Sequence, residues 1–343
     1  MVPTLDVAAL FGPAGRARES IDAALAAAAA DIGFLTITGL GAHLPLGPEA
    51  RAALLRVFAL EEAALRRLWR RKFAPDNPNV YRGFFPLQPG NVTAKQGIDL
   101  GPDLVYGADV VRADDPLREP TPLPQEAELP GWRAAARRYY VAMEQVSRAL
   151  MQSVARSFGL EQQYFDAAFQ RGLSTLRLLH YPARSAAELG RADPAVWVEH
   201  QGERRHLTGA PHTDSGFLTL LAQDGAAGLQ ARSRDGAWVD VPPVEGSLAV
   251  NFGQVLERWS AGRIRATEHR VIGGASERFS IPFFYEARAD AGIRPLPFDD
   301  PESFEPFLYG DYLWERITAF VEFRGMERQR RPRGITAALS QGR

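Results

Sequence analysis

His212, Asp214 and His269 are the residues of this 343-residue chain whose types and spacing suit chemistry at a metal ion. Polar and apolar residues alternate through Ala210-Pro211-His212-Thr213-Asp214-Ser215-Gly216-Phe217-Leu218-Thr219-Leu220-Leu221, which predicts a β-strand. Positions i and i+2 of a strand share a face, so an imidazole and a carboxylate would project side by side. His269, in the separate β-like segment Thr267-Glu268-His269-Arg270-Val271, is the candidate third ligand. Two His and one carboxylate on one side of an ion leave the other side open, the arrangement of non-haem Fe(II) that must bind a substrate group and O2. Taken alone, His-x-Asp is also compatible with a surface pair or a hydrogen-bonded core pair.

Arg278-Phe279-Ser280 follows His269 with the same i, i+2 spacing. A guanidinium forks onto a carboxylate, and a serine hydroxyl adds a donor, so the pair suits an acid ligand. The competing reading of Arg278 is a rim residue in a surface ion pair.

With these residues in this order, the chain resembles the isopenicillin N synthase-like branch of the Fe(II)/2-oxoglutarate-dependent oxygenases. Further stretches carry the likeness: Val2-Pro3-Thr4-Leu5-Asp6, Asp31-Ile32-Gly33-Phe34-Leu35, Tyr81-Arg82-Gly83-Phe84, Gly228-Leu229-Gln230, Trp238 to Pro243 and Gly246 to Gly253. The resemblance implies that His212, Asp214 and His269 hold Fe(II). It implies that Arg278 and Ser280 grip the distal carboxylate of 2-oxoglutarate, with Tyr181 as a further cosubstrate contact. The implied reaction couples decarboxylation of 2-oxoglutarate to succinate, with O2, to oxidation of a substrate C–H bond, usually hydroxylation. Arg82, Phe84 and Phe283 are candidate substrate contacts, Arg82 by analogy with the family, and a structural role for Arg82 stands equally. Departures fall at Gln254, Leu40-Gly41 and Leu179-His180-Tyr181-Pro182, none of which removes a ligand. The alternatives are a same-fold Fe(II) oxidase that does not consume 2-oxoglutarate and a non-catalytic protein that binds a small acid or a metal.

Composition narrows the field. No cysteine is present, which excludes disulfides, thiolate metal sites and cysteine nucleophiles. Hydrophobic content of 45% and charged content of 24% are ordinary for a globular chain, and a net charge of −1 gives no electrostatic case for nucleic acid or an anionic membrane. A small-molecule substrate is therefore expected. The opening Met1-Val2-Pro3-Thr4-Leu5-Asp6 lacks a basic segment followed by an apolar one, so a cytoplasmic location is expected. Asn91-Val92-Thr93 matches a glycosylation acceptor, which means little without a secretory signal.

The elements that must position these residues read as an all-β core, a jelly roll or double-stranded β-helix, with flanking α-helices. Residues 1–343 are expected to form a single oxygenase domain. Its parts are a helical and loop region over 1–130, a core over 170–290 that carries the metal site, and a helical tail over 291–343. Helices are predicted over 14–30, 48–72, 132–158 (capped by Gly159) and 161–169. Residues 74–130, with five prolines between Pro116 and Pro130, predict an ordered loop. Strands are predicted at 34–38, 175–181, 207–221, 229–231, 238–241, 248–251, 268–272 and 278–284. Residues 183–205 read as a charged connection, with His200 and His206 exposed; neither they nor His43 and His180 are expected to bind metal.

Overall fold

Arg278–Tyr285 is buried along nearly its whole length, on both faces, and a strand covered on both faces belongs in the middle of a sheet. In the computed structural model, which describes residues 1–41, 43–88, 94–190, 192–274, 276–300 and 302–335, it does. In chain order the strands are β1 (Thr4–Asp6), β2 (Phe34–Thr38), β3 (Gly83–Phe85), β4 (Gln96–Leu100), β5 (Thr175–Tyr181), β6 (Trp197–His200) and β7 (Glu203–His212). They continue as β8 (Leu218–Gln223), β9 (Leu229–Arg232), β10 (Trp238–Asp240), β11 (Leu248–Phe252), β12 (His269–Ile272) and β13 (Arg278–Tyr285). An eight-stranded sheet runs β1-β2-β11-β8-β13-β5-β4-β3, and a five-stranded sheet runs β10-β9-β12-β7-β6. All pairings in both are antiparallel except β1 with β2. The fold is a jelly roll.

Apolar residues from both sheets meet between them: Phe34 and Ala249 from the larger, Leu229, Ala231 and Val271 from the smaller. The helix Trp132–Ser157 covers the outer face of the larger sheet, and its three- and four-residue apolar spacing is what that face requires. Tyr140 meets Phe283 of β13 edge-on, with ring centres 5.0 Å apart, and donates its hydroxyl to the Ser174 carbonyl at 2.7 Å. Gly159, at φ +70°, ends the helix in the left-handed conformation that glycine adopts without a Cβ penalty. Phe283 is fully buried here and does not line the metal cavity, which corrects its expected role as a substrate contact. Phe283→Ala should destabilise the protein by about 3–5 kcal/mol, the usual cost of truncating a buried ring. Chemical denaturation measures this, and a loss below about 1 kcal/mol would place the ring outside the packed core.

Four sequence expectations change. The predicted helix over 48–72 is broken into Pro48–Leu55, a 3-10 turn over Arg56–Ala59 and Glu62–Arg67. Leu60 and Glu61 are extended, and Phe58 is drawn inward onto Phe84, His180 and Phe279, so tertiary packing overrides helix propensity. The expected loop over 74–130 supplies β3 and β4, which complete the larger sheet. The connection over 183–205 contributes β6, which forms a hairpin with β7 and buries His206 to 7% exposure, while His200 is partly buried and hydrogen-bonded to Gln230. Finally, the predicted strand over 207–221 is two strands in two different sheets. Asn91-Val92-Thr93 lies outside the described residues. No helix among the described residues is long and apolar enough to cross a membrane.

Candidate metal centre

The break in that last strand builds the site. β7 ends at His212 in the smaller sheet, β8 begins at Leu218 in the larger, and Asp214 sits in the crossing between them. The backbone there is pinned by the helix that starts at Gln254: Gln254 N–H donates to the Asp214 carbonyl at 2.9 Å, and Gly253 N–H to the Phe217 carbonyl at 2.9 Å. Asp214 therefore reaches His212 across a turn and not along one strand face, a correction to the expected geometry. His269 comes in from β12, whose antiparallel register with β7 sets it directly opposite His212.

The three side chains converge. Asp214 Oδ1 lies 3.7 Å from His212 Nε2 and 3.8 Å from His269 Nε2, and one ligand atom from each residue falls within 4.8 Å of the others. This is the one such metal-capable group of three among the described residues. His212 Nδ1 donates to the Ala210 carbonyl at 2.8 Å and His269 Nδ1 to the Thr267 carbonyl at 3.1 Å. A carbonyl can only accept, so each Nδ1 carries its proton and each Nε2 lone pair points to the common centre. Asp214 Oδ2 takes hydrogen bonds from Thr219 Oγ1 at 2.6 Å and Asn251 Nδ2 at 2.7 Å, leaving Oδ1 for the ion. The His212 side chain is 41% exposed where it edges the cavity, yet desolvation by the surrounding protein, then the His269 ring, push its pKa below the ordinary imidazole value, which favours the neutral, ligating form. Burial alone would raise the Asp214 carboxyl, but the two imidazoles with Thr219 and Asn251 outweigh it and hold it below the usual range.

A cavity of about 310 Å³ opens beside the triad and is also lined by Tyr181, Arg278 and Ser280. Arg278 is 5% exposed, and its Nε and Nη2 have no hydrogen-bond partner. A surface ion pair is thereby excluded: the guanidinium is buried and no described carboxylate meets it. The Tyr181 ring, opposite Arg278 in the register of β5 and β13, lies 5.5 Å from the guanidinium carbon. Buried donors left open are costly unless a ligand supplies acceptors, and a ligand carboxylate supplies two. The residues fit iron and a dicarboxylate cosubstrate.

Arg82 and Phe84 do not reach this cavity. Arg82 is fully buried, donating to Thr175 Oγ1 and, at 2.8 Å, to the Leu173 carbonyl, and Phe84 packs in the main core. These contacts favour the structural reading of Arg82. His180 stacks on Phe279 with ring centres 4.6 Å apart.

Residues not singled out from sequence stand at the mouth and in an inner lobe of about 110 Å³ that shares His212 and Asp214 with the main cavity. Lys95 and Arg177 line both spaces, and Glu286 lines the inner one. Arg177 grips Asp99 with Nε at 2.6 Å and Nη2 at 2.8 Å, and Lys95 lies 3.0 Å from Glu322. Burial works against a charged Glu322, but Lys95 and Arg177 bring its pKa down to about 2. The signal for this cluster was present in the sequence: Asp99 between Ile98 and Leu100, and Arg177 between Leu176 and Leu178, are charges set within apolar runs.

Comparison with known proteins agrees with this geometry. Residues 176–287, which span the triad and the Arg278/Ser280 pair, match the model of the 2OG-Fe(II) oxygenase superfamily. The chain is 28% identical to isopenicillin N synthase of Streptomyces clavuligerus, over 94% of this chain and 97% of that one. It is 30% identical to a 2-oxoglutarate-Fe(II) type oxidoreductase of Aspergillus fumigatus, over 84% of this chain and 82% of that one. In structure it is similar to the dioxygenase for auxin oxidation of rice, with a TM-score of 0.67 and 26% identity, covering 93% of this chain and 96% of that one.

Proposed function

The chain belongs to the 2-oxoglutarate-Fe(II) oxygenase superfamily, and from that premise we propose which residues perform its reaction. It is an oxidoreductase of the dioxygenase type that uses Fe(II), 2-oxoglutarate and O2. His212, Asp214 and His269 hold the iron. Arg278 and Ser280 hold the far carboxylate of 2-oxoglutarate, with the Tyr181 ring fixing the guanidinium plane. The observation that carries this assignment is the buried, unpaired Arg278 in the same cavity as the triad.

When bound, iron with its cosubstrates supplies the oxidising power: 2-oxoglutarate and O2 become succinate and CO2, and one oxygen atom is available to the substrate. The protein's part is orientation and exclusion. The two Nδ1–H···O=C bonds fix the imidazole rings, and Thr219 and Asn251 fix the carboxylate, so the ligands keep to one side. Leu221, Leu229 and Val271 present an apolar wall to the main cavity and keep water from the reacting centre. Hydroxylation of a small molecule is the proposed outcome. Near-zero net charge supports a substrate that is neither nucleic acid nor membrane. We also read residues 1–343 as one oxygenase domain, since β1 to β4 from the N-terminal part and β5, β8, β11 and β13 from the core share one sheet.

Iron-loaded protein given 2-oxoglutarate and a panel of small metabolites tests the reading. Succinate should form in step with O2 uptake. O2 uptake without succinate would favour the oxidase alternative, and neither would leave a binding protein.

A further inference from the structure

The inner lobe holds a buried acid with an open acceptor. Glu286 is 6% exposed, its Oε2 has no hydrogen-bond partner, and no described cation forms an ion pair with it. A Cβ on Gly216 would fall 2.4 Å from Oε1, so the carboxyl rests directly on the backbone two residues beyond Asp214. Burial, then the charge of Asp214, push its pKa well above the usual carboxyl range, and the Arg82 guanidinium, which acts the other way, does not offset them. Such a group is costly to bury unless a partner arrives with a ligand.

Where the lobe joins the main cavity, the balance is opposite. Arg70, Arg177 and Lys95 share two carboxylates, Asp99 and Glu322, which leaves a surplus of positive charge. Arg177 holds Asp99 with Nε and Nη2 while its side chain lines both spaces. Between the two ends, Phe284, Leu313 and Ile317 give an apolar wall.

We propose that this lobe takes a small zwitterion of the amino-acid type, its carboxylate at Lys95 and Arg177 and its ammonium on Glu286. The proposal rests on the oxygenase reading of the metal site and names its substrate class. The ammonium supplies the charge-assisted partner that Glu286 lacks, and the carboxylate takes up the surplus at the junction. The molecule's aliphatic C–H bonds then lie against the apolar wall beside His212 and Asp214. A lobe of about 110 Å³ has room for a short side chain.

The test uses the full chain with Fe(II) and 2-oxoglutarate without O2, read by the metal-to-ligand charge-transfer absorption. Small aliphatic amino acids are compared with their deaminated acids and their amides. Amino acids should shift the band, and both analogue series should bind at least about tenfold more weakly, a difference of about 1.4 kcal/mol. In Glu286→Gln the advantage of the amine should vanish, while the 2-oxoglutarate titration stays as in wild type. A normal band that no amino acid shifts overturns the zwitterion proposal and leaves the oxygenase reading standing; no band at all overturns both. Glu286→Gln also carries its own folding control. Above the ordinary carboxyl pKa the unfolded chain releases a proton that the folded chain keeps, so wild-type stability falls as pH rises. The amide escapes that loss, and its Tm at pH 8 should equal or exceed that of wild type. A lower Tm would mean that the carboxyl is satisfied after all, against the proposal.

Discussion

Asp214→Ala should give a folded protein that no longer retains Fe(II) and has lost turnover by roughly a thousandfold or more. Disturbing a group that merely orients a ligand commonly costs about 10–100-fold in metal affinity or activity, and Asp214 is the anionic member of the triad itself. Two neutral imidazoles would remain, with Nε2 atoms aimed at a centre that has lost its negative charge. The fold should survive. Asp214 stands in the crossing between sheets, and the hydrogen bond that pins this crossing comes from Gln254 N–H to the main-chain carbonyl of Asp214, which alanine keeps. What the variant loses are the partners of Thr219 Oγ1 and Asn251 Nδ2, about 1–3 kcal/mol for each polar group left unsatisfied. Iron content after desalting, with Tm and succinate release, checks all three statements. Native-like iron binding in the variant would show that another residue supplies the charge.

The candidate ligands are legible in the sequence because the types are scarce and their order is specific. With no cysteine and six histidines, a metal site had to draw on few residues, and His212, Asp214 and His269 do meet. The reason they meet was not legible. Alternation in Pro211 to Leu221 suggested one strand, but Gly216 permits a crossing in which the backbone touches the Glu286 carboxyl, a contact between segments far apart in the chain that no local pattern encodes. The same limit explains β3 and β4. Gly83–Phe85 is three residues long and becomes a strand by pairing with Gln96–Leu100, so its conformation is set by its neighbours and not by its own propensity. The helix over Trp132–Ser157 is legible almost to the residue, since 26 positions of apolar periodicity leave little for tertiary contacts to override. The contacts of Thr219 and Asn251 with Asp214 are not legible, because a polar residue within an apolar strand looks the same from sequence whether it orients a ligand or faces solvent.

Replacing Arg278 by leucine should weaken 2-oxoglutarate at least about a hundredfold and leave iron affinity unchanged. Each hydrogen bond to a charged group contributes about 1.5–3 kcal/mol, a forked contact makes two, and each 1.4 kcal/mol is a factor of about ten. The guanidinium is already in place for that contact: it is buried, backed by the Tyr181 ring, and holds Nε and Nη2 unpaired. Little reorganisation is needed when the carboxylate arrives, so most of the contact energy should show as affinity. The unliganded variant should be no less stable than wild type, because leucine removes a buried charge that the chain does not pair. Arg278→Lys should recover only part of the affinity, since an ammonium is a point charge and cannot present two parallel donors. Ser280→Ala should cost less than either, having one neutral donor to lose. Anaerobic titration of 2-oxoglutarate into the Fe(II) protein, followed by charge-transfer absorption, measures the series directly. An unchanged affinity in Arg278→Leu would move the carboxylate grip to Lys95 and Arg177, the cavity's other cations, and reverse the orientation of the cosubstrate proposed above.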